Sequence, residues 1–206
     1  MSGPALRWRA TFLASGGVFL ALALLVARGS VLPGEESIYG AITDWVSPTG
    51  VAIFRVVRYL GRWQFLLPAT LLLIWCTPAQ ARRHWWLWAA VMILAPLAEG
   101  AGKEIIARPR PSGQALGFPS GHVTAAAAYF SLFAYLMSPR LKDRALLLWI
   151  VVWIPVALVG IARIVQRAHW PADVLGGVAL GLAFASAAFW WHERHPVASP
   201  TARPPL

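Results

Sequence analysis

Six stretches of this 206-residue chain are apolar for about the ~20 residues that an α-helix needs to cross the hydrocarbon of a bilayer. They run Ala10–Ala27, Val56–Cys76, Trp85–Ala107, Gly121–Met137, Ala145–Ala162 and Ala172–Trp191. Backbone polar groups cannot stay unpaired in lipid, so only helices or closed barrels can span it, and the period-two alternation of barrel strands is absent. Composition agrees: 58% of the residues are hydrophobic, 13% are charged, and the mean hydropathy is +0.60. A soluble domain of this size keeps too much surface wet to hide that much apolar area. The expectation is an all-α integral-membrane bundle of six transmembrane helices, one domain over residues 1–198, followed by a disordered tail over 199–206. No repeat of solenoid period is visible.

The first segment follows Arg7 and Arg9, as a secretory signal would. Its apolar run is longer than the roughly 7–15 residues of such signals, and Ala27–Arg28–Gly29 is a poor cleavage site. A retained anchor is expected. Cys76 is the one cysteine and can form no intrachain disulfide.

The net charge of +10 is carried mostly by arginine, the only lysines being Lys103 and Lys142. These charges lie between apolar stretches, which points to membrane orientation and anionic lipid headgroups rather than nucleic acid. Six spans put both termini on one side with Arg7, Arg9, Arg82, Arg83, Arg140, Lys142, Arg144 and Arg194. The opposite side is comparably basic, but Glu35, Glu36, Asp44 and Glu104 also lie there. The termini are therefore expected in the cytoplasm. Arg55, Arg58 and Arg62 fall at i, i+3 and i+7, making one basic stripe that suits either an interfacial helix or a solvated start to the second span. Trp75, Trp85, Trp86, Trp88, Trp190 and Trp191 would form one aromatic belt, Trp63 and Trp170 the other.

Polar residues gather at three places, and the span count puts all three on one face. Lys103 to Pro111 leaves the third span, Phe118 to His122 enters the fourth, and Arg163 to Asp173 joins the fifth to the sixth. Their chemistry suits an anionic phosphoryl group. Lys103, Arg110 and Arg163 supply a point charge and two planar forks for its oxygens. Pro119, Ser120 and Gly121 open a helix with free backbone N–H groups and the positive end of its dipole, and Gly121 permits close approach. Two histidines then remain for two jobs, attack on phosphorus and protonation of the leaving oxygen. Pro171 favours a helix start, which puts His169 just before the sixth span and Asp173 in its first turn. From there Asp173 can accept a hydrogen bond from one imidazole nitrogen and leave the other free to attack.

The arrangement resembles the type-2 phosphatidic acid phosphatase family, which shares its site with vanadium haloperoxidases. The family pattern is Lys, six residues, Arg-Pro; then Pro-Ser-Gly-His; then Ser-Arg, five residues, His, three residues, Asp. Lys103 with Arg110 and Pro111 matches the first element, Pro119 to His122 the second, and Arg163, His169 and Asp173 the third. The resemblance implies that His169 is the nucleophile that forms a phosphohistidine, that Asp173 supports it, and that His122 is the general acid. It also implies that Lys103, Arg110, Ser120, Gly121 and Arg163 bind phosphate, with no metal or other cofactor. Ala162 stands where the family often has Ser, and the Pro111–Pro119 connection is short.

Each residue also has a plainer reading. Arg108 competes with Arg110 because both precede a proline, but spacing favours Arg110 and leaves Arg108 a supporting, outer-shell or headgroup contact. Ser120 can simply cap its helix. His169 and Asp173 can be metal ligands, although a metal would want further acidic or imidazole partners. Arg167 reads as a lipid or solvent contact. Glu99 lies one turn before Lys103 and either orients it or sits protonated or pore-facing in its span. Gly177 and Gly181 read as small-residue helix contacts. The expected activity is hydrolysis of a lipid phosphate or pyrophosphate, of the undecaprenyl pyrophosphate, phosphatidylglycerol phosphate or phosphatidic acid class. A phosphotransferase with the same site and a non-catalytic carrier of anionic lipids are the alternatives.

Overall fold

The computed structural model describes residues 3–28 and 31–195; the tail expected from residue 199 onward lies outside them. Nine helices occur in order among the described residues: α1 (Gly3–Arg28), α2 (Glu35–Trp45), α3 (Pro48–Val57), α4 (Trp63–Cys76), α5 (Ala79–Arg82), α6 (Trp85–Ile106), α7 (Gly121–Leu141), α8 (Ala145–Val165) and α9 (Pro171–Arg194). Short 3₁₀ turns at Arg58–Gly61 and Lys142–Arg144 link α3 to α4 and α7 to α8. The protein is all-helical, as the apolar segments require.

α7 is the axis of the bundle. Its small residues Ala125, Ala126, Ala127, Ala128 and Ala134 are buried, so α6, α8 and α9 can pack closely around it. Gly177 and Gly181 make that approach possible on α9, because a methyl group at either would run into the backbone carbonyl of Ser120 or Thr124. One core joins Leu66, Leu73, Trp88, Val91, Leu132, Leu136 and Phe189. A second joins Val123, Ala126, Ala127, Val156 and Val159 between α7 and α8. α1 lies along α9, and its outer side is largely bare.

Outward faces carry what water would reject. Leu13, Leu20 and Leu24 of α1, Leu67 and Leu71 of α4, Ile93 and Leu97 of α6, and Leu146 and Ile150 of α8 are all exposed. Gly3–Ala27, the α7–α8 stretch Gly121–Val165 and Pro171–Arg194 are long and apolar enough to cross a bilayer. This is a membrane protein. α4 has 14 residues, so it covers only about 21 Å of the roughly 30 Å of hydrocarbon.

Two expectations need correcting. Arg55, Arg58 and Arg62 do not share a helical stripe, because α3 ends at Val57, a 3₁₀ turn follows, and Arg62 is extended. Trp88 does not join an interfacial belt: it is fully buried and its indole N–H bonds the Ala81 carbonyl at 3.0 Å. Trp75, Trp85 and Trp63 are exposed, in keeping with the belts.

Candidate active site

The three polar motifs meet at one end of the bundle. α6 delivers Lys103 near its last turn, α7 delivers His122 in its first, and the turn between α8 and α9 delivers His169. The charges of Arg163, His169, Arg62 and Lys103 all bear on His122, and those of Arg163 and Lys103 bear on His169. A cavity of about 390 Å³ runs between Arg62, Glu99, Lys103, Gly121 and His122.

His169 is held in one orientation. Its Nδ1 lies 2.7 Å from the carbonyl oxygen of Gly117. A carbonyl only accepts, so Nδ1 carries the proton and Nε2 is left with a free lone pair. The Asp173 carboxylate stands farther off, 3.5 Å from the same nitrogen. The expected hydrogen bond from imidazole to Asp173 is thus made to Gly117, and Asp173 acts on the ring through its charge. Burial pushes the His169 pKa below its usual value, the Asp173 carboxylate opposes that, and Arg163 and Lys103 add to it.

Asp173 is fully buried and committed elsewhere. Its Oδ2 accepts the Trp170 backbone N–H at 2.8 Å, closing the first turn of α9, and its Oδ1 accepts from Arg108 at 2.7 Å. Arg108 also pairs with Glu35, both side chains being buried. Glu35 in turn accepts the backbone N–H groups of Ala172 at 2.8 Å and Leu32 at 2.9 Å. A continuous chain of ion pairs therefore runs from α2 through Arg108 and Asp173 to the turn that carries His169. Arg108, only 1% exposed, cannot touch a headgroup. Glu35 was invisible as a site residue because it lies in an unremarkable polar stretch, far in sequence from the motifs.

The remaining motif residues divide into two groups. Ser120 is buried, its hydroxyl makes no cap hydrogen bond, and its backbone N–H is fixed on the Asp173 carbonyl at 2.9 Å. Ser120 Oγ, His122 Nε2 and Arg163 Nε are buried with no partner among the described residues. These three atoms are where an anion would find donors. Lys103 is ion-paired with Glu99 on the same face of α6, and the Glu99 carboxylate packs against Gly121, where a Cβ would come within 2.6 Å of it. Arg110 instead turns its guanidinium back on its own loop, to Leu116 O at 3.2 Å and Gln114 at 3.3 Å, although its charge reaches Arg163. Arg62 lines the cavity beside His122, a position its sequence context did not suggest. Arg167 is exposed, and Ala162 is fully buried.

The family model described as the PAP2 superfamily matches residues 84–196, more than half of the chain. The chain belongs to the PAP2 superfamily. Phosphatidylglycerophosphatase B of Bacillus subtilis is 31% identical over 80% of this PAP2 chain and 86% of its own length. Lipid A 1-phosphatase of Rhizobium johnstonii is 28% identical over 88% of this chain and 79% of its own. Among solved structures, the PAP2-type phosphatidylglycerolphosphate phosphatase from Bacillus subtilis superposes with a TM-score of 0.80 at 26% identity, covering 89% of this chain and 96% of that one. Aquifex aeolicus LpxE superposes at 0.62 with 20% identity over 74% of this chain and 92% of its own, a likeness of fold.

Proposed function

We propose that this PAP2 protein hydrolyses the phosphate monoester or pyrophosphate of a membrane lipid through a phosphohistidine on His169. One observation carries the reading: Nδ1 of His169 is pinned to Gly117, which leaves Nε2 as a lone-pair nucleophile on which the charges of Arg163 and Lys103 act. Nε2 attacks phosphorus, the bond from phosphorus to the lipid oxygen breaks, and His122 gives that oxygen a proton. Lys103, Arg163, Ser120 and the first N–H groups of α7 hold the nonbridging oxygens as their charge builds, joined by Arg110 when it leaves Leu116 and Gln114. Water then attacks the phosphohistidine, His122 takes its proton, and inorganic phosphate leaves. We take the reaction to need no metal, because Lys103, Arg163 and Arg110 would supply the positive charge that a metal otherwise brings. Among the described residues no three His, Cys, Asp or Glu side chains group to hold a metal ion.

The relatives support a lipid as substrate, since phosphatidylglycerophosphatase B and lipid A 1-phosphatase are both named for lipid phosphates. We place six spans in the membrane, the termini in the cytoplasm and the site at the extracytoplasmic interface, where a headgroup enters beside the apolar faces of the bundle. The test is phosphate release from short-chain phosphatidic acid and phosphatidylglycerol phosphate in detergent with EDTA. The native chain should turn over at least one, and His169→Ala should lose activity by about three orders of magnitude or more. Full activity of His169→Ala, or release abolished by EDTA, would overturn the mechanism.

A further inference from the structure

A second basic recess adjoins Gln166, which accepts a hydrogen bond from Arg163. A cavity of about 730 Å³ opens between α2, α3 and the end of α8, lined by Thr43, Arg55, Arg58, Gln166 and Arg167. Three guanidinium groups thus face one space, and no carboxylate is among the described residues that line it. Neither Arg55 nor Arg167 has an ion-pair partner among the described residues. Arg58 is half-buried, and its Nε is enclosed without a hydrogen-bond partner. Like charges lining one cavity repel one another unless an anion joins them.

Gln166 connects this recess to the reacting site. Its amide N–H bonds the Phe54 carbonyl at 3.0 Å, which fixes the side chain between α3 and α8. Its Oε1 accepts from Arg58 at 3.1 Å and from Arg163 at 3.4 Å, so one oxygen bridges a recess arginine and a phosphate-site arginine. An anion in the recess would lie beside the hydrolysed phosphoryl group but separated from it by this bridge. That separation suits two anionic groups joined by a short linker better than the directly bonded groups of a diphosphate.

We infer that the recess is an accessory anion site for a second phosphate-type group, with Arg55, Arg58 and Arg167 as its ligands. The inference rests on the lipid-phosphatase reading for its consequence: the favoured substrate carries a phosphodiester a few bonds from the monoester that is cleaved. The same chemistry could be supplied by the headgroup of a neighbouring anionic lipid, and the experiment separates the two.

The test compares the full chain with R55Q/R167Q on phosphatidylglycerol phosphate, which has two phosphates, and on phosphatidic acid, which has one. In neutral detergent micelles the variant should raise KM for the two-phosphate lipid about tenfold, the loss of charge-assisted contacts, with kcat unchanged. Phosphatidic acid turnover should not move, and R55K/R167K should restore most of the loss. If a neighbouring lipid is the occupant, phosphatidic acid turnover in phosphatidylcholine vesicles will rise with added phosphatidylglycerol in the native chain and not in R55Q/R167Q. Binding of short-chain phosphatidylglycerol, followed by native mass spectrometry, reads the recess without turnover and should weaken in the variant. Equal KM changes on both substrates, or unchanged phosphatidylglycerol binding, would sink the accessory site. A native chain inactive on every lipid, yet showing the binding difference, would instead sink the phosphatase reading.

Discussion

Each end of the bundle holds histidines, aromatic rings and a cavity, yet only at one end do several cations act on the histidines. At the far end His84 and His192 sit in an aromatic cage with Trp88, Tyr135 and Trp191. Tyr135 donates to Glu193 at 2.8 Å and lies 2.7 Å from His192 Nδ1, so that nitrogen must be the donor, while His84 Nδ1 is buried without a partner among the described residues. The cavity beside it, about 570 Å³, is larger than the one at His122. At the site end the same residue type faces Lys103, Arg62 and Arg163, and His122 Nε2 has no partner among the described residues. An unpaired ring nitrogen occurs at both ends, so what sets His122 apart is the surplus positive charge around it, not cavity size or aromatic neighbours.

Exchanging the two kinds of histidine gives the widest contrast. On the proposed mechanism His122→Ala removes the proton donor to the leaving oxygen and should lower kcat by about 10²–10⁴. His192→Ala should leave phosphate release per folded molecule unchanged, although it costs stability by removing the ring packed against His84, Trp88 and Tyr135. A leaving group that is already a good one, such as p-nitrophenol, should lose less in His122→Ala, because it departs without a proton. Equal losses in the two variants would erase the distinction between the ends.

The ion pairs at the site end offer a second contrast with the far end, where buried polar atoms are mostly neutral. Arg108→Ala leaves Glu35 and Asp173 as uncompensated buried carboxylates, which should cost about 3–5 kcal/mol. The measurement is thermal unfolding in detergent, with loss of activity at temperatures where the native chain still works. Arg108→Lys should recover little, since a point charge cannot bridge Glu35 and Asp173 as the planar fork does. A variant at Arg110, half-exposed on its loop, should unfold near the native temperature.

This difference between Arg108 and Arg110 also marks how far the sequence could be read. Apolar run length placed α1, α6, α7, α8 and α9, because lipid enforces helices of that length. It misplaced the start of α4, since hydropathy does not register the 3₁₀ turn at Arg58 or the extended Arg62. Motif spacing brought Lys103, His122, His169 and Arg163 to one end. It could not show that Arg108 would be buried under Asp173, because the deciding partner, Glu35, comes 138 positions before Asp173 in the chain. Nor could it show that Gly117, a loop glycine without a motif, would supply the carbonyl for His169. Local pattern carries periodicity and spacing; pairings across the fold depend on where loops return.

The finest test of the contrast is the titration of His169. Burial lowers its pKa, and the Asp173 carboxylate holds it up against that effect. The folded value therefore lies below the unfolded ~6.5, so the unfolded chain binds the extra proton first and stability declines as pH falls below about 6.5. The neutral imidazole that the proposed attack requires persists into mildly acidic solution. Histidine-selective NMR in micelles, with the signal assigned by its loss in His169→Gln, should give a midpoint below that of a free imidazole. Asp173→Asn keeps the shape of the side chain and removes the charge, so it should move the midpoint lower still. A midpoint that stayed put in Asp173→Asn would mean that Gly117 alone governs the ring and that the carboxylate serves only Arg108 and the first turn of α9.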